Sequence, residues 1–179
     1  MSYTVGSLFA GIGGICLGFK LAKCDVIWAN EYNSKACETY AFNFPKPKLY
    51  CDDIHNLDKP KDLGQVDIIT SGFPCQAFSV AGYRKGFNDH RGNLFFETAR
   101  FIDELRPKAF LLENVKNLNG HDNGNTIKVI EKTITEELGY SFIPFILNSK
   151  KYGNIPQTRE RIYMVGFKDE SSKNSLCSD

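Results

Sequence analysis

Three groups of side chains in this sequence have the types and spacing of a nucleophilic site. Cys75 lies in SGFPCQAFSVAGYRKGFNDHRGNLFFE, behind a proline and at the mouth of a glycine-punctuated loop, just after an apolar run. A buried cysteine normally sits within an element as a small hydrophobe. A cysteine on a loop after a strand instead has the position of a nucleophile, which must react as the thiolate. Glu113 follows AFLL in the run ENV, where a carboxylate is costly to bury unless something satisfies it. Arg159 and Arg161, in QTRERIYMVGF, stand two residues apart at the opening of a strand. Alternate strand residues share a face, so these two guanidinium groups point the same way and suit a carboxylate or an anionic substrate.

The elements that position these groups alternate along the chain. TVGSLFA, DVIWAN, KLYCDDI, VDIITSG, KAFLLENV, SFIPFILN and RIYMVGF read as strands. GGICLGFKLAK, SKACETYAFNF, NLFFETARFIDELRP and TIKVIEKTITEEL carry apolar residues at helical spacing, with Ile15, Phe19 and Ala22 as the buried side of the first. Alternation of this kind predicts an α/β domain with a mostly parallel sheet, helices on both faces and an antiparallel pair near the C-terminus. Ligands of such sheets bind outside the carboxyl ends of the strands, and the residues at those ends agree chemically. FAGIGG is a glycine turn after the first strand, but it fails the dinucleotide fingerprint and has no lysine–serine pair for phosphate. Glu31 follows the second strand, where α/β nucleotide binders hold ribose hydroxyls, and Asp52 and Asp53 follow the third. Three acids at one edge describe a pocket for an adenosine-bearing cofactor without phosphates.

Composition excludes several classes. The chain has 179 residues, 42% hydrophobic and 24% charged, as in an ordinary globular domain, and its formal net charge of +1 offers no global basic field for nucleic acid. Any polyanion contact is therefore local. Six cysteines show no C-x-x-C pair and no histidine at finger spacing, which predicts no metal site and, from their apolar or helical settings, buried free thiols in a reducing compartment. The apolar N-terminal run is interrupted by glycines and lacks a preceding basic region, so neither a signal peptide nor a membrane span is expected. These readings together predict a cytoplasmic protein, or a nuclear one in a eukaryote.

Six motifs in order, FAGIGG, the Glu31 loop, the Asp53–Ile54 pair, GFPCQAFSVAG, ENV and QTRERIYMVGF, resemble those of the cytosine-C5 DNA methyltransferases. The likeness extends through FNDHRGNLFFE and HDNGNT and runs to about Phe167. It implies a Rossmann-like methyltransferase fold in which residues 1–168 form the cofactor-binding and catalytic domain and 169–179 a polar tail. It also implies S-adenosyl-L-methionine as cofactor, with Phe9, Gly11, Gly13 and Gly14 near its methionine end and Glu31 on the ribose. Asp53 would take the adenine amino group, Ile54 and Tyr32 the adenine ring, and Pro74 the methyl-donor side. By the same resemblance, Cys75 adds to C6 of a flipped-out cytosine in double-stranded DNA, Glu113 meets N3 and the exocyclic amine, and Arg161 with Arg159 orients the adduct. Ser79, Arg84, Lys85 and Arg91 would contact DNA from a loop that closes over it.

The family's pattern continues past the arginine strand into a target-recognition domain and a final segment, neither of which KDESSKNSLCSD resembles. One subunit of a split enzyme, a truncated product and a minimal domain with another use are the three expectations, and intact catalytic motifs favour the first two. A second subunit carrying the recognition domain is accordingly an expected partner, in a restriction–modification or orphan-methylation context. An RNA cytosine methyltransferase and a non-catalytic cofactor- or DNA-binding module are the alternatives.

Overall fold

The computed structural model describes residues 2–74 and 94–168. Seven strands form one sheet: β1 (Thr4–Leu8), β2 (Asp25–Glu31), β3 (Lys48–Cys51), β4 (Ile68–Ser71), β5 (Ala109–Val115), β6 (Ile143–Asn148) and β7 (Glu160–Phe167). Their order is β3-β2-β1-β4-β5-β7-β6. Every pairing is parallel except those made by β7, which runs antiparallel to both β5 and β6. The predicted α/β class, the parallel sheet and the terminal antiparallel pair are all present.

The chain order reverses between β1 and β4, so the helices divide between two faces. On one side, α1 (Gly14–Leu21) and α2 (Ser34–Asn43) close a small core of Val5, Cys16, Val26, Ala29 and Tyr40. On the other, α3 (Leu94–Leu105) and α4 (Asn125–Lys132) cover the main core, in which Trp28, Phe101, Phe110, Leu112, Ile130 and Met164 are all buried. β1 is buried along nearly its whole length, as an interior parallel strand must be. The α1 register differs from the expectation: Cys16 is its buried residue, Ile15 and Phe19 are half-buried, and Ala22 is exposed. The small core needs only a narrow stripe from so short a helix.

Local chemistry sets the boundaries. Asn33 caps α2 by accepting from the Ala36 amide at 3.0 Å. α4 widens into a π turn at Thr133–Glu137, which keeps Ile134 and Leu138 in the core, and Gly139 follows it at φ 72°. A four-residue helix, α5 (Ser149–Tyr152), between β6 and β7 has no counterpart in the sequence pattern, being one turn long and wholly polar in its first three residues. The 3-10 turns at Ile54–Asn56, Pro60–Leu63 and Lys116–Gly124 lack a hydrophobic period that would reveal them.

The cysteine expectation needs correction. Cys37 in α2 and Cys51 at the end of β3 form a disulfide with Cα atoms 6.0 Å apart, while Cys16 and Cys24 are free. The parallel return of β3 beside β2 brings Cys51 opposite Glu31, and Cys37 Sγ lies 3.5 Å from the Glu31 carbonyl. The two cysteines are fourteen positions apart in sequence, so only the crossover brings them together. Closing a loop of that size contributes about 3 kcal/mol by chain entropy. Cys37→Ser in the oxidised protein should lower the unfolding free energy by about 2–3 kcal/mol in a denaturant titration. Reductant should produce the same loss in the parent and none in the variant, and equal midpoints throughout would refute the contribution.

Asp67, just before β4, ties three strands at the amino edge of the sheet. Its carboxylate accepts from the Thr4 amide and hydroxyl, each at 2.9 Å, and pairs with Lys108 at 2.8 Å. The Lys108 ammonium and then the Thr4 donors hold its pKa at about 2, below the usual 3.8. The folded value lies below the unfolded one, so this stabilisation is complete above roughly pH 4 and fades as the pH falls towards 2. Asp67→Asn should remove that segment of the stability–pH curve, as measured by chemical denaturation between pH 2 and 6. An unchanged curve would contradict the assignment.

Candidate active site

The carboxyl edge of the sheet gathers the functional candidates. At the end of β1 the backbone turns sharply: Phe9, Gly11 and Gly13 have φ of 51°, 56° and 96°. A left-handed phenylalanine costs on the order of 1–3 kcal/mol and persists only where its surroundings impose it. Here the Ala10 amide donates to the Asn30 carbonyl at 3.0 Å, Gly13 closes the turn on Ala10, and the Phe9 ring packs against the main core. A Cβ on Gly13 would run into the Phe44 ring, so this position must remain glycine.

Glu31 reaches across from the neighbouring strand. One carboxylate oxygen accepts from the Gly11 amide and the other from the Asn33 amide, each at 2.8 Å. Each oxygen keeps a lone pair, so the group can also accept from a vicinal diol. Asp53 begins the 3-10 turn after β3, and its Oδ1 accepts from the His55 amide at 3.0 Å and contacts His55 Nδ1 at 2.6 Å. The bond from the His55 amide holds the Asp53 pKa below the ordinary carboxylate value. Among the described residues, no partner engages Asp53 Oδ2, which leaves an acceptor for an amino group. Tyr32 is 73% exposed and offers an open ring beside Glu31. Ile54 is 2% exposed and belongs to the main core, so it presents little surface to a ligand. FAGIGG has no lysine or arginine, which suits a nucleoside without phosphates.

At the ends of β4 and β5 the groups are held differently. Asn114, 3% exposed, donates from Nδ2 to the Phe73 carbonyl at 2.9 Å and accepts from the Val115 amide at 2.8 Å. This fixes the backbone two residues before Cys75. Gly72 sits where a Cβ would lie 3.6 Å from the Phe9 carbonyl and 3.7 Å from Glu113 Oε2. The glycine turn, the root of the Cys75 segment and the Glu113 carboxylate therefore converge. Glu113 Oε1 pairs with Arg161 Nε at 3.0 Å, both side chains being about one-fifth exposed (20% and 19%). Antiparallel register makes this possible, because Tyr163 lies opposite Glu113 and Arg161 is two residues along on the same face. Burial, and then the Glu113 charge, push the Tyr163 phenol up, so it stays neutral beside the pair.

Arg159 precedes β7 and is exposed, its backbone bonded to Ser149. Its charge is among those that act on Tyr163. Gly14 opens α1, and Pro74 is exposed. Cys75, Ser79, Arg84, Lys85 and Arg91 lie outside the described residues. Asn114 and Asn30 escaped the sequence reading as site residues. Asn30 is 1% exposed and donates to the carbonyls of Tyr50 at 3.1 Å and Asp52 at 2.8 Å, which holds the Asp53 turn against β2. Their only sequence signal is an amide-bearing residue at the end of an otherwise apolar strand. No group of histidine, cysteine and acid side chains able to hold a metal exists among the described residues.

The sequence model of the C-5 cytosine-specific DNA methylases matches residues 3–178. The chain belongs to that family. It is 55% identical over 173 residues to the type II methyltransferase M.Bsp6I of Bacillus sp. (strain RFL6), covering 95% of this chain and 54% of that protein. It is 46% identical over 164 residues to the type II methyltransferase M.HhaI of Haemophilus parahaemolyticus, covering 91% of this chain and 48% of the relative. The crystal structure of a Spodoptera frugiperda DNMT2 mutant superposes with a TM-score of 0.72 at 28% identity, covering 93% of this chain and 50% of the other. The chain thus spans about half the length of the relatives it matches. No helix among the described residues is long and apolar enough to cross a membrane.

Asn114→Ala leaves the buried Phe73 carbonyl without its donor and should cost about 1–3 kcal/mol of stability. Chemical denaturation measures this, and a loss under a few tenths would show that the bond does not hold the segment.

Proposed function

We propose that this chain is the cofactor-binding and catalytic part of a DNA (cytosine-5)-methyltransferase of the restriction–modification type. The carrying observation is the half-buried Glu113–Arg161 pair, set beside Gly72 at the root of the Cys75 segment. Family membership supports the chemistry, and the names of the type II relatives support the context. The residues at the nucleoside end fit S-adenosylmethionine: Glu31 for the ribose diol, Asp53 Oδ2 for the adenine amino group and Tyr32 for the ring. When bound, the cofactor supplies an electrophilic methyl group on a sulfonium.

The chain's own residues would prepare the base. The Cys75 thiolate forms a bond to C6 of cytosine, and the C5–C6 π electrons move into the ring towards N3. Glu113, once it has taken a proton from solvent, can donate it to N3, where that charge collects, and recover it when the C5–methyl bond forms, while its other oxygen accepts from the exocyclic amine. Arg161 keeps Glu113 oriented and presents a cation to the substrate side, with Arg159 in reach of the base oxygen or a flanking phosphate. After methylation at C5, a base removes the C5 proton. The electron pair re-forms the double bond and expels the Cys75 thiolate, which returns the enzyme. Asn114 positions the Phe73 backbone, because small errors in attack geometry cost large rate factors.

Transfer of labelled methyl from S-adenosylmethionine to mixed-sequence duplex DNA tests this reading, with the chain alone and with a recognition half supplied by a relative. Cys75→Ser should abolish transfer and covalent trapping on 5-fluorocytosine DNA while retaining cofactor binding. Glu113→Gln should lower transfer by about 10²–10⁴-fold. Cofactor binding without transfer or trapping in either setting would support a non-catalytic module. Preferential methylation of RNA would move the substrate class.

A further inference from the structure

The substrate edge extends beyond the catalytic pair into a groove that none of the assigned residues uses. It is a cavity of about 500 Å³ between the turn after β5 and strand β6, lined by Lys116, Asn117, Asn119, Gly120, His121 and Ile146. β6 runs parallel to β5, because both are antiparallel to β7, so the ends of β5 and β6 and the start of β7 share one edge. From Glu113 to His121 and from Asn148 to Arg161, this edge carries five cations, Lys116, Lys150, Lys151, Arg159 and Arg161, against two carboxylates, Glu113 and Glu160. The whole chain has a net charge of only +1, so the local excess is a concentrated feature.

The cations stand on a braced turn. Asn148 Oδ1 accepts from the Lys150 amide at 2.9 Å, while Ser149 exchanges backbone and hydroxyl bonds with Arg159 at 3.0 and 3.1 Å. Residues 150–159 are all exposed. Glu160 links turn to groove: Lys116 Nζ lies 2.9 Å from its carboxylate, and the Lys151 charge acts on it as well. An exposed pair of this kind holds its partners only weakly, so an arriving anion can compete for both lysines.

We propose that Lys116, Lys150 and Lys151, with the asparagine amides of the groove, form a phosphate-contact surface for duplex DNA flanking the target cytosine. The surface rests on reading the chain as part of a DNA methyltransferase. A cytosine delivered to Glu113 and Arg161 brings its strand past the adjoining edge. Double-stranded DNA carries one negative charge per roughly 1.7 Å of axis, so several phosphates reach a groove of this size. Lysine ammonium groups on short stems of ordered backbone neutralise such charges without reading base identity, so the surface sets affinity and register rather than sequence choice.

Fluorescence anisotropy with a labelled mixed-sequence duplex, titrated at several salt concentrations, tests the surface. Lys150→Glu/Lys151→Glu should weaken binding by about tenfold or more at low salt and make the slope of log affinity against log salt shallower by about 2. Lys116→Gln should act in the same direction to a smaller extent. Lys20→Glu/Lys23→Glu, at the other end of α1 near the amino edge, carries the same charge change and should leave the slope unaltered. S-adenosylhomocysteine affinity should be equal in all variants, which separates loss of this surface from loss of the fold or the cofactor site. Equal affinities and slopes in parent and Lys150→Glu/Lys151→Glu would overturn the proposal, as would an equal loss in the control. A parent chain that binds S-adenosylhomocysteine but no duplex at any salt would overturn the surface and leave the cofactor half of the functional reading standing.

Discussion

The hydrogen bond from the buried Asn114 amide to the Phe73 carbonyl is the constraint on which the candidate site depends. β4 and β5 are held together by their ladder only as far as Ser71 and Leu112. Beyond that point the Gly72 amide still donates to the Leu8 carbonyl of β1 at 3.4 Å, but the Phe73 carbonyl needs another source of hydrogen bonds. Asn114 supplies one from within β5, and its other end satisfies Val115. The segment that leads to Cys75 is thereby tied to the strand that carries Glu113. The Phe73 backbone and the Glu113 strand thus take their relative positions from one amide.

The same device recurs where β1, β2 and β3 end. Asn30, next to last in β2, holds the carbonyls of Tyr50 and Asp52, which sets the direction of the Asp53 turn. Glu31 then bridges the amides of Gly11 and Asn33, so the glycine turn, β2 and the start of α2 form one hydrogen-bonded unit. Such a network is valuable because a buried amide left half-satisfied costs more than an apolar residue in its place. It also explains how Phe9 is kept at a positive φ. The turn cannot relax without breaking bonds that belong to the neighbouring strand.

Charge on this edge is arranged by depth. The Glu113–Arg161 pair is about one-fifth exposed, where attraction is strong but neither ion is fully stripped of water. Its orientation is set by the antiparallel register of β5 and β7. Lys116 and Glu160 are closer to solvent, and Lys150 and Lys151 are farther out on a turn. A polyanion would meet the exposed, weakly paired cations first and the fixed pair last.

The elements of the fold were legible because their periods are strong. The apolar runs of β1, β4 and β5 and the amphipathic stripes of α3 and α4 leave few other arrangements, and the breakers Pro45, Pro107 and Gly139 mark their ends. The identities of Cys75, Glu113, Arg161, Glu31 and Asp53 as residues of chemical interest were also legible, since each follows an apolar run where a polar residue needs a reason. What the sequence could not show was which of them touch. The Glu113–Arg161 contact spans 48 positions and depends on antiparallel register; the Cys37–Cys51 bond depends on a parallel crossover; Asn30 and Asn114 matter only through carbonyls on other strands. Ile54 shows the converse, a residue beside Asp53 in sequence whose side chain the core takes up instead. Local periodicity encodes which face a residue prefers, whereas partners across the sheet are selected by strand order and register, which exist only once the chain has folded.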